Sequence, residues 1–213
     1  MNRLKYHIFY LAGPMDRVEG RGIEWRLDMQ DFIWDELEGG VFNPCDKPID
    51  WGVEDEESRQ WRIDSLATAE SLYAKGMKYE ADQICESVCG NMKPIAASDL
   101  NLVDQSGGVI LHVDTDVHMC GSYAEQTWAC LEHKPVIVHC KQGKCSVPHW
   151  LWGVCNPEMF FGTWDGVKDY LRHVAFDDHV EHHRRWKFID MDKVYGKHRK
   201  TFLKPCDAGV ELT

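Results

Sequence analysis

Three carboxylates fall within a dozen residues, Asp114, Asp116 and Glu125, between an apolar run and a helix-forming segment. The run Gly108-Val109-Ile110-Leu111-His112-Val113 reads as a buried strand, and the residues from 122 to 133 as a helix. Glu125 then falls in the first turn of that helix, behind a strand-end loop holding the two aspartates. In an open parallel sheet, ligands bind outside the carboxyl ends of the strands. A carboxylate there is a candidate nucleophile or acid/base, and a helix N-terminus would keep it ionised. The plainer alternative is a first-turn Glu that only complements the helix dipole. Asp116 is the preferred general acid and Asp114 the reserve, against the alternative of a polar turn. Gly121 and Ser122 offer amides and a hydroxyl for an anion, and Ser122 equally suits an N-cap. His118 could bond a hydroxyl or phosphate, or simply be solvated.

The elements that must position this loop follow from apolar spacing. His7 to Ala12 is an apolar run stopped by Gly13-Pro14, a first strand. Ile23, Leu27, Phe32, Ile33 and Leu37 recur near helical spacing, a helix closed by Gly39-Gly40. Val41-Phe42-Asn43-Pro44 is a short second strand. Residues 45–59, with an acidic run from Glu54 to Glu57, form a loop over the sheet edge: a lid or a solvated insertion. Residues 60–89 favour helix, and Ser98 is placed to cap another. Pro135-Val136-Ile137-Val138 completes a βαβ unit, and 164–175 is the last major helix. Alternating strands and helices predict a single-domain α/β fold: a doubly wound, mostly parallel, Rossmann-like or flavodoxin-like sheet with helices on both faces. The domain spans 1–178, with an insertion at about 45–95 and a basic extension over 179–213.

Composition narrows the function. A net charge of -11 argues against nucleic acid or an anionic membrane as partner. No apolar run reaches the roughly 18 residues of a membrane span. Nine cysteines without an apolar leader suggest reduced thiols in a cytoplasm. No GxGxxG follows the first strand and no GxxxxGK[ST] occurs, so dinucleotide and P-loop readings lose their main support.

Three segments carry a resemblance through their order and spacing: Tyr10-Leu11-Ala12-Gly13-Pro14-Met15-Asp16, then Val41-Phe42-Asn43-Pro44, then Gly121-Ser122-Tyr123-Ala124-Glu125. Over roughly residues 7 to 172, the chain resembles the nucleoside 2-deoxyribosyltransferases, with their phage-encoded members and the related nucleotide N-glycosidases. The resemblance implies a glycosyl nucleophile at Glu125 and an N-glycosidic bond as target. Asp116 would supply the acid, and no cofactor or metal would be needed. It implies substrate contacts from Tyr10, Gly13, Pro14, Met15, Asp16, Asp99, Asp114, His118, Gly121 and Ser122, with Tyr10 and Met15 flanking the base. Trp150, in His149-Trp150-Leu151-Trp152-Gly153-Val154, would reach a neighbouring subunit's site, so a homo-oligomer with shared sites is expected. The substrate would be a nucleoside or its 5′-monophosphate, with a free nucleobase as acceptor for transfer and water for hydrolysis. The location would be cytoplasmic, the host's if the chain is phage-encoded. One departure stands out. Family members carry an Asp just before the strand that leads to the nucleophile loop, where this chain has Ser106 or Gly107. Asp99 and Asp104 lie nearby but out of register.

Two other classes remain. His118-Met119-Cys120 and His139-Cys140 with Cys145 offer ligands for structural zinc, without a CxxC pair or HExxH. The same pocket could also hold a nucleotide without cleaving it. The basic tail could dock an acidic partner or be solvated.

Overall fold

The structure, a computed structural model, describes residues 2–15, 18–49 and 51–177 together with Trp186. Asp16 and the basic extension apart from Trp186 lie outside the described residues.

Five parallel strands form one sheet in the order β2-β1-β3-β4-β5: β1 Ile8–Ala12, β2 Gly40–Phe42, β3 Gly108–Val113, β4 Val136–Cys140 and β5 Phe160–Phe161. The helices are α1 Ile23–Asp35, α2 Glu56–Ala74, α3 Lys78–Gln105, α4 Cys120–Leu131, α5 His149–Val154 and α6 Trp164–Phe176. The α/β doubly wound sheet is therefore as the alternation predicts. Chain order reverses between β1 and β3, the neighbours where such sheets bind ligands.

Side-chain alternation builds two cores, because successive strand residues face opposite sides. Phe9, Leu11, Ile110 and Ile137 pack with Met29, Ile33, Val167 and Leu171 of α1 and α6. Tyr10, Ala12, Val109, Leu111, Val136 and Val138 pack on the other side with Leu102, Val103, Ala129 and Leu151 of α3, α4 and α5. Both faces are covered, which is why β3 reads as an almost unbroken apolar run. On α1 the buried stripe is Arg26, Met29, Phe32 and Ile33, while the expected core residues Ile23 and Leu27 face solvent. The inward face is rotated because Arg26 occupies it. Among the described residues, no helix is long and apolar enough to cross a membrane.

The insertion departs from the sequence expectation in part. Residues 60–89 are mostly helical, as expected, in two helices, α2 and α3, joined at a turn with Gly76 at a φ of 78°. Ser98 caps nothing; it is buried inside the 28-residue α3, which runs through Pro94. Proline lacks an N–H and crowds the preceding turn, so it costs about 3 kcal/mol in a helix interior. Packing of Ala81, Ile95, Leu102 and Val103 carries α3 across it. The acidic run is not wholly solvated either, since Glu54 is buried between Arg21 and Arg62. Pro94→Ala should restore the missing backbone bond and stabilise the protein by about 1–3 kcal/mol. A rise in the urea midpoint would bear this out, and an unchanged or lower midpoint would contradict it.

Candidate active site

Tyr10 sits in the middle of β1 with its side chain toward α3 and α4, and it is fully buried. A buried phenol needs a hydrogen-bond partner. Here Tyr10 donates to Glu125 Oε1 at 2.8 Å. Glu125 is the sixth residue of α4, because the helix begins at Cys120 rather than at 122. It therefore lies in the second turn, beyond strong reach of the helix N-terminus. It is partly buried, and its carboxyl points inward to the phenol.

This placement overturns the expected ionisation. Burial, then the like charge of Asp99, pushes the Glu125 carboxyl up to about 8. The Tyr10 hydrogen bond and the charges of Arg26 and Lys47 act the other way without cancelling it. Asp99, on α3, is likewise raised, first by burial, while Lys47, Tyr10 and Arg26 pull it back. Burial and these two carboxylates hold the Tyr10 phenol well above its usual range, so it remains a donor. Asp99, two helical turns ahead of Gly107, is carried by α3 to the same place as Glu125.

Two basic residues that the sequence did not single out complete the site. Lys47 places Nζ 2.8 Å from Asp99 Oδ1 and 2.8 Å from Ser98 Oγ, and its side chain is 1% exposed. The Asp99 contact is an ion pair without hydrogen-bond alignment, so buried Oδ1 has no aligned donor among the described residues. Arg26 is fully buried on α1. Its guanidinium donates to the carbonyls of Leu11 (3.2 Å), Gly13 (2.8 Å), Arg21 (3.0 Å) and Gly22 (3.0 Å). It therefore clamps the end of β1 to the turn before α1, where Arg21 holds a φ of 54°. That φ is rare for a residue with a Cβ. Glu54 braces Arg21 through an ion pair at 3.5 Å.

The other predicted residues divide. Gly13 and Pro14 are buried at the end of β1 and Met15 is partly buried beside them. A Cβ at Gly13 would come within 2.8 Å of the Trp25 ring and 3.3 Å of Arg26, so packing by itself already demands this glycine. Tyr10 lies buried with its hydroxyl donating to the Glu125 carboxyl. Asp114 is buried and accepts from Lys141 at 2.6 Å, Gln142 at 2.7 Å and the Asp116 amide at 3.1 Å. Burial raises it, but those bonds outweigh burial and hold it below the usual carboxylate range. Asp116 is exposed and accepts from Gln142 at 3.1 Å, with no hydrogen bond or ion pair to Glu125. His118 and Gly121 are exposed. Ser122 is buried within the first turn and is not the N-cap, which is Met119. Trp150, on α5, is 75% exposed.

His139, a candidate zinc ligand, instead stacks on Trp164 with ring centroids 4.0 Å apart and bonds His112 at 2.9 Å between ring nitrogens. Both histidines are lowered to about 4, chiefly by burial. Among the described residues no three His, Cys, Asp or Glu side chains converge to hold a metal.

The raised Glu125 has a thermodynamic signature. The folded protein keeps its proton where the unfolded chain, with the ordinary value of 4.5, releases it. The stability this contributes is full below 4.5 and is lost as pH rises through about 8. Each pH unit within that window is worth about 1.4 kcal/mol. Glu125→Gln should flatten the dependence and leave the variant more stable than wild type at pH 8 by a few kcal/mol, roughly 2–4. Thermal unfolding at pH 5 and pH 8 would check it; equal pH dependence in both proteins would refute a Glu125 that stays protonated at neutral pH. Comparison with protein-family models finds no match to this chain, and comparison with curated protein sequences finds none.

Proposed function

We propose that the chain cleaves the N-glycosidic bond of a nucleoside, or of its 5′-monophosphate, by double displacement at Glu125. The observation that carries this reading is the enclosed pair Glu125 and Asp99 over the Tyr10 phenol, beside the β1–β3 switch point. The matched segments around Gly13-Pro14 and Gly121–Glu125 support the same reading through their likeness to nucleoside 2-deoxyribosyltransferases.

Glycoside cleavage by two carboxyls needs one ionised group to attack and one proton for the leaving group. Glu125 and Asp99 are coupled by their charges, so their protons belong to the pair. Below about 8 the pair retains a proton. In the first step the proton passes from Glu125 to Asp99, the freed Glu125 carboxylate attacks C1′, the C1′–N bond breaks with its electrons going to the base, and Asp99 gives that proton to the base. In the second step water or another base attacks C1′ and returns its proton, releasing the Glu125 carboxylate. Asp99 assumes the acid role that the sequence gave to Asp116. A water acceptor makes the enzyme a hydrolase, and a free nucleobase makes it a transferase. Trp150, exposed on α5, is the group proposed to reach the site of a second copy in a homo-oligomer.

Incubation with nucleosides and 5′-monophosphates, with and without an acceptor base, should release free base or form a new nucleoside. Glu125→Ala should lower turnover by roughly three orders of magnitude or more, and Asp99→Asn by about a hundredfold. Activity within about tenfold of wild type in Glu125→Ala would remove Glu125 as nucleophile. The alkaline limb of kcat/KM should fall near pH 8, where the pair loses its last proton. A rate still rising beyond pH 9 would contradict the shared proton.

A further inference from the structure

Lys47 belongs to the insertion, in a segment whose polar composition suggested only a lid or solvated chain. Its ammonium group is buried, and three neighbours hold it: Asp99 Oδ1 at 2.8 Å, Ser98 Oγ at 2.8 Å and the Gly52 carbonyl. Gly52 fixes that geometry. It takes a φ of 66°, and a Cβ there would collide with the Pro94 carbonyl and crowd Ser98. Only glycine lets the chain lie flat on α3 and turn its carbonyl to Lys47. The groups around Asp99 come from every packed element: Tyr10 from β1, Arg26 from α1 with Cys45 beside it, Glu125 from α4, and Lys47 from the loop after β2. Arg26 is committed to four backbone carbonyls, which among the described residues leaves Lys47 as the cation in direct contact with a carboxyl of the pair.

We propose that Lys47 is the positioning residue that fixes at one the number of protons held by Glu125 and Asp99. The proposal rests on the reading of that pair as the catalytic one. The cation against Asp99 favours the one-proton state in which Asp99 is ionised and Glu125 holds the proton, which passes to Asp99 as Glu125 attacks. Without it, burial would load both carboxyls with protons, leaving an acid but no nucleophile. The insertion thus brings in the charge that makes a nucleophile and an acid coexist at neutral pH. Lys47 touches Asp99 and acts on the chemistry through it.

The test is a titration of side-chain carboxyl carbons by NMR in wild type, Lys47→Met and Lys47→Arg, with resonances assigned from Glu125→Gln and Asp99→Asn. In Lys47→Met the uptake of the second proton should move up by roughly one pH unit or more. In Lys47→Arg it should stay near wild type. If Lys47→Met does not fold, Lys47→Gln keeps donors for Ser98 and Gly52 and serves the same comparison. A folded neutral variant whose carboxyls titrate as in wild type would overturn the proposal. So would loss of the wild-type pattern in Lys47→Arg. The titration needs no substrate, so it stands whether or not the protein cleaves glycosides. If it does, the acidic limb of kcat/KM should move up in Lys47→Met or Lys47→Gln and stay in place in Lys47→Arg, and an unmoved limb in the neutral variants would count against Lys47.

Discussion

A phenol buried in the middle of β1 is the anchor of this structure. Strand alternation sends Tyr10 into the α3/α4 core, where its hydroxyl must find an acceptor. The acceptor is Glu125, so the hydrogen bond draws a carboxyl into apolar surroundings. Desolvating a carboxylate is costly, and the molecule answers by letting it keep a proton. Asp99 sharpens the effect as a second carboxyl in the same space. The site is therefore a proton store between two helices, built on a strand that two neighbours hold in place.

The surrounding charges tie the elements of the site to one another. Buried ion pairs contribute little net stability, yet removing one partner costs about 3–5 kcal/mol because the other charge is stranded. Lys47 with Asp99 and Glu54 with Arg21 and Arg62 are of this kind. Both link the insertion at about 45–95 to the core of the site, one through α3 and one through the turn that Arg26 clamps. The insertion is thus part of the site's architecture, and the loop over the sheet edge is tied down at several points.

Much of the frame was legible in the sequence. The apolar runs of β1, β3 and β4 marked the parallel sheet, and its switch point followed from the alternation of elements. Glu125 and Tyr10 could be named because both sit beside glycine-marked segments at strand ends. Glu125's ionisation was not legible: it turns on where α4 starts and on a residue from α3, both tertiary facts. Asp99 was named as a substrate contact, with the acid role given to Asp116, because spacing along the chain hid the reach of a 28-residue helix. Ser98 looked like a cap because packing, not propensity, carries α3 through Pro94. Lys47 and Arg26 gave no signal, since a lone cation between polar residues looks the same whether solvated or buried.

The most direct test of the central claim is trapping. A 2′-fluoro-substituted nucleoside slows collapse of a covalent glycosyl intermediate by destabilising the oxocarbenium-like transition state. After incubation and proteolysis, mass spectrometry should find the fluorosugar attached to the peptide containing Glu125, at Glu125 itself. Sugar on Asp99, on Asp116 or on another residue, or base released from the natural nucleoside with no adduct trapped, would contradict the account.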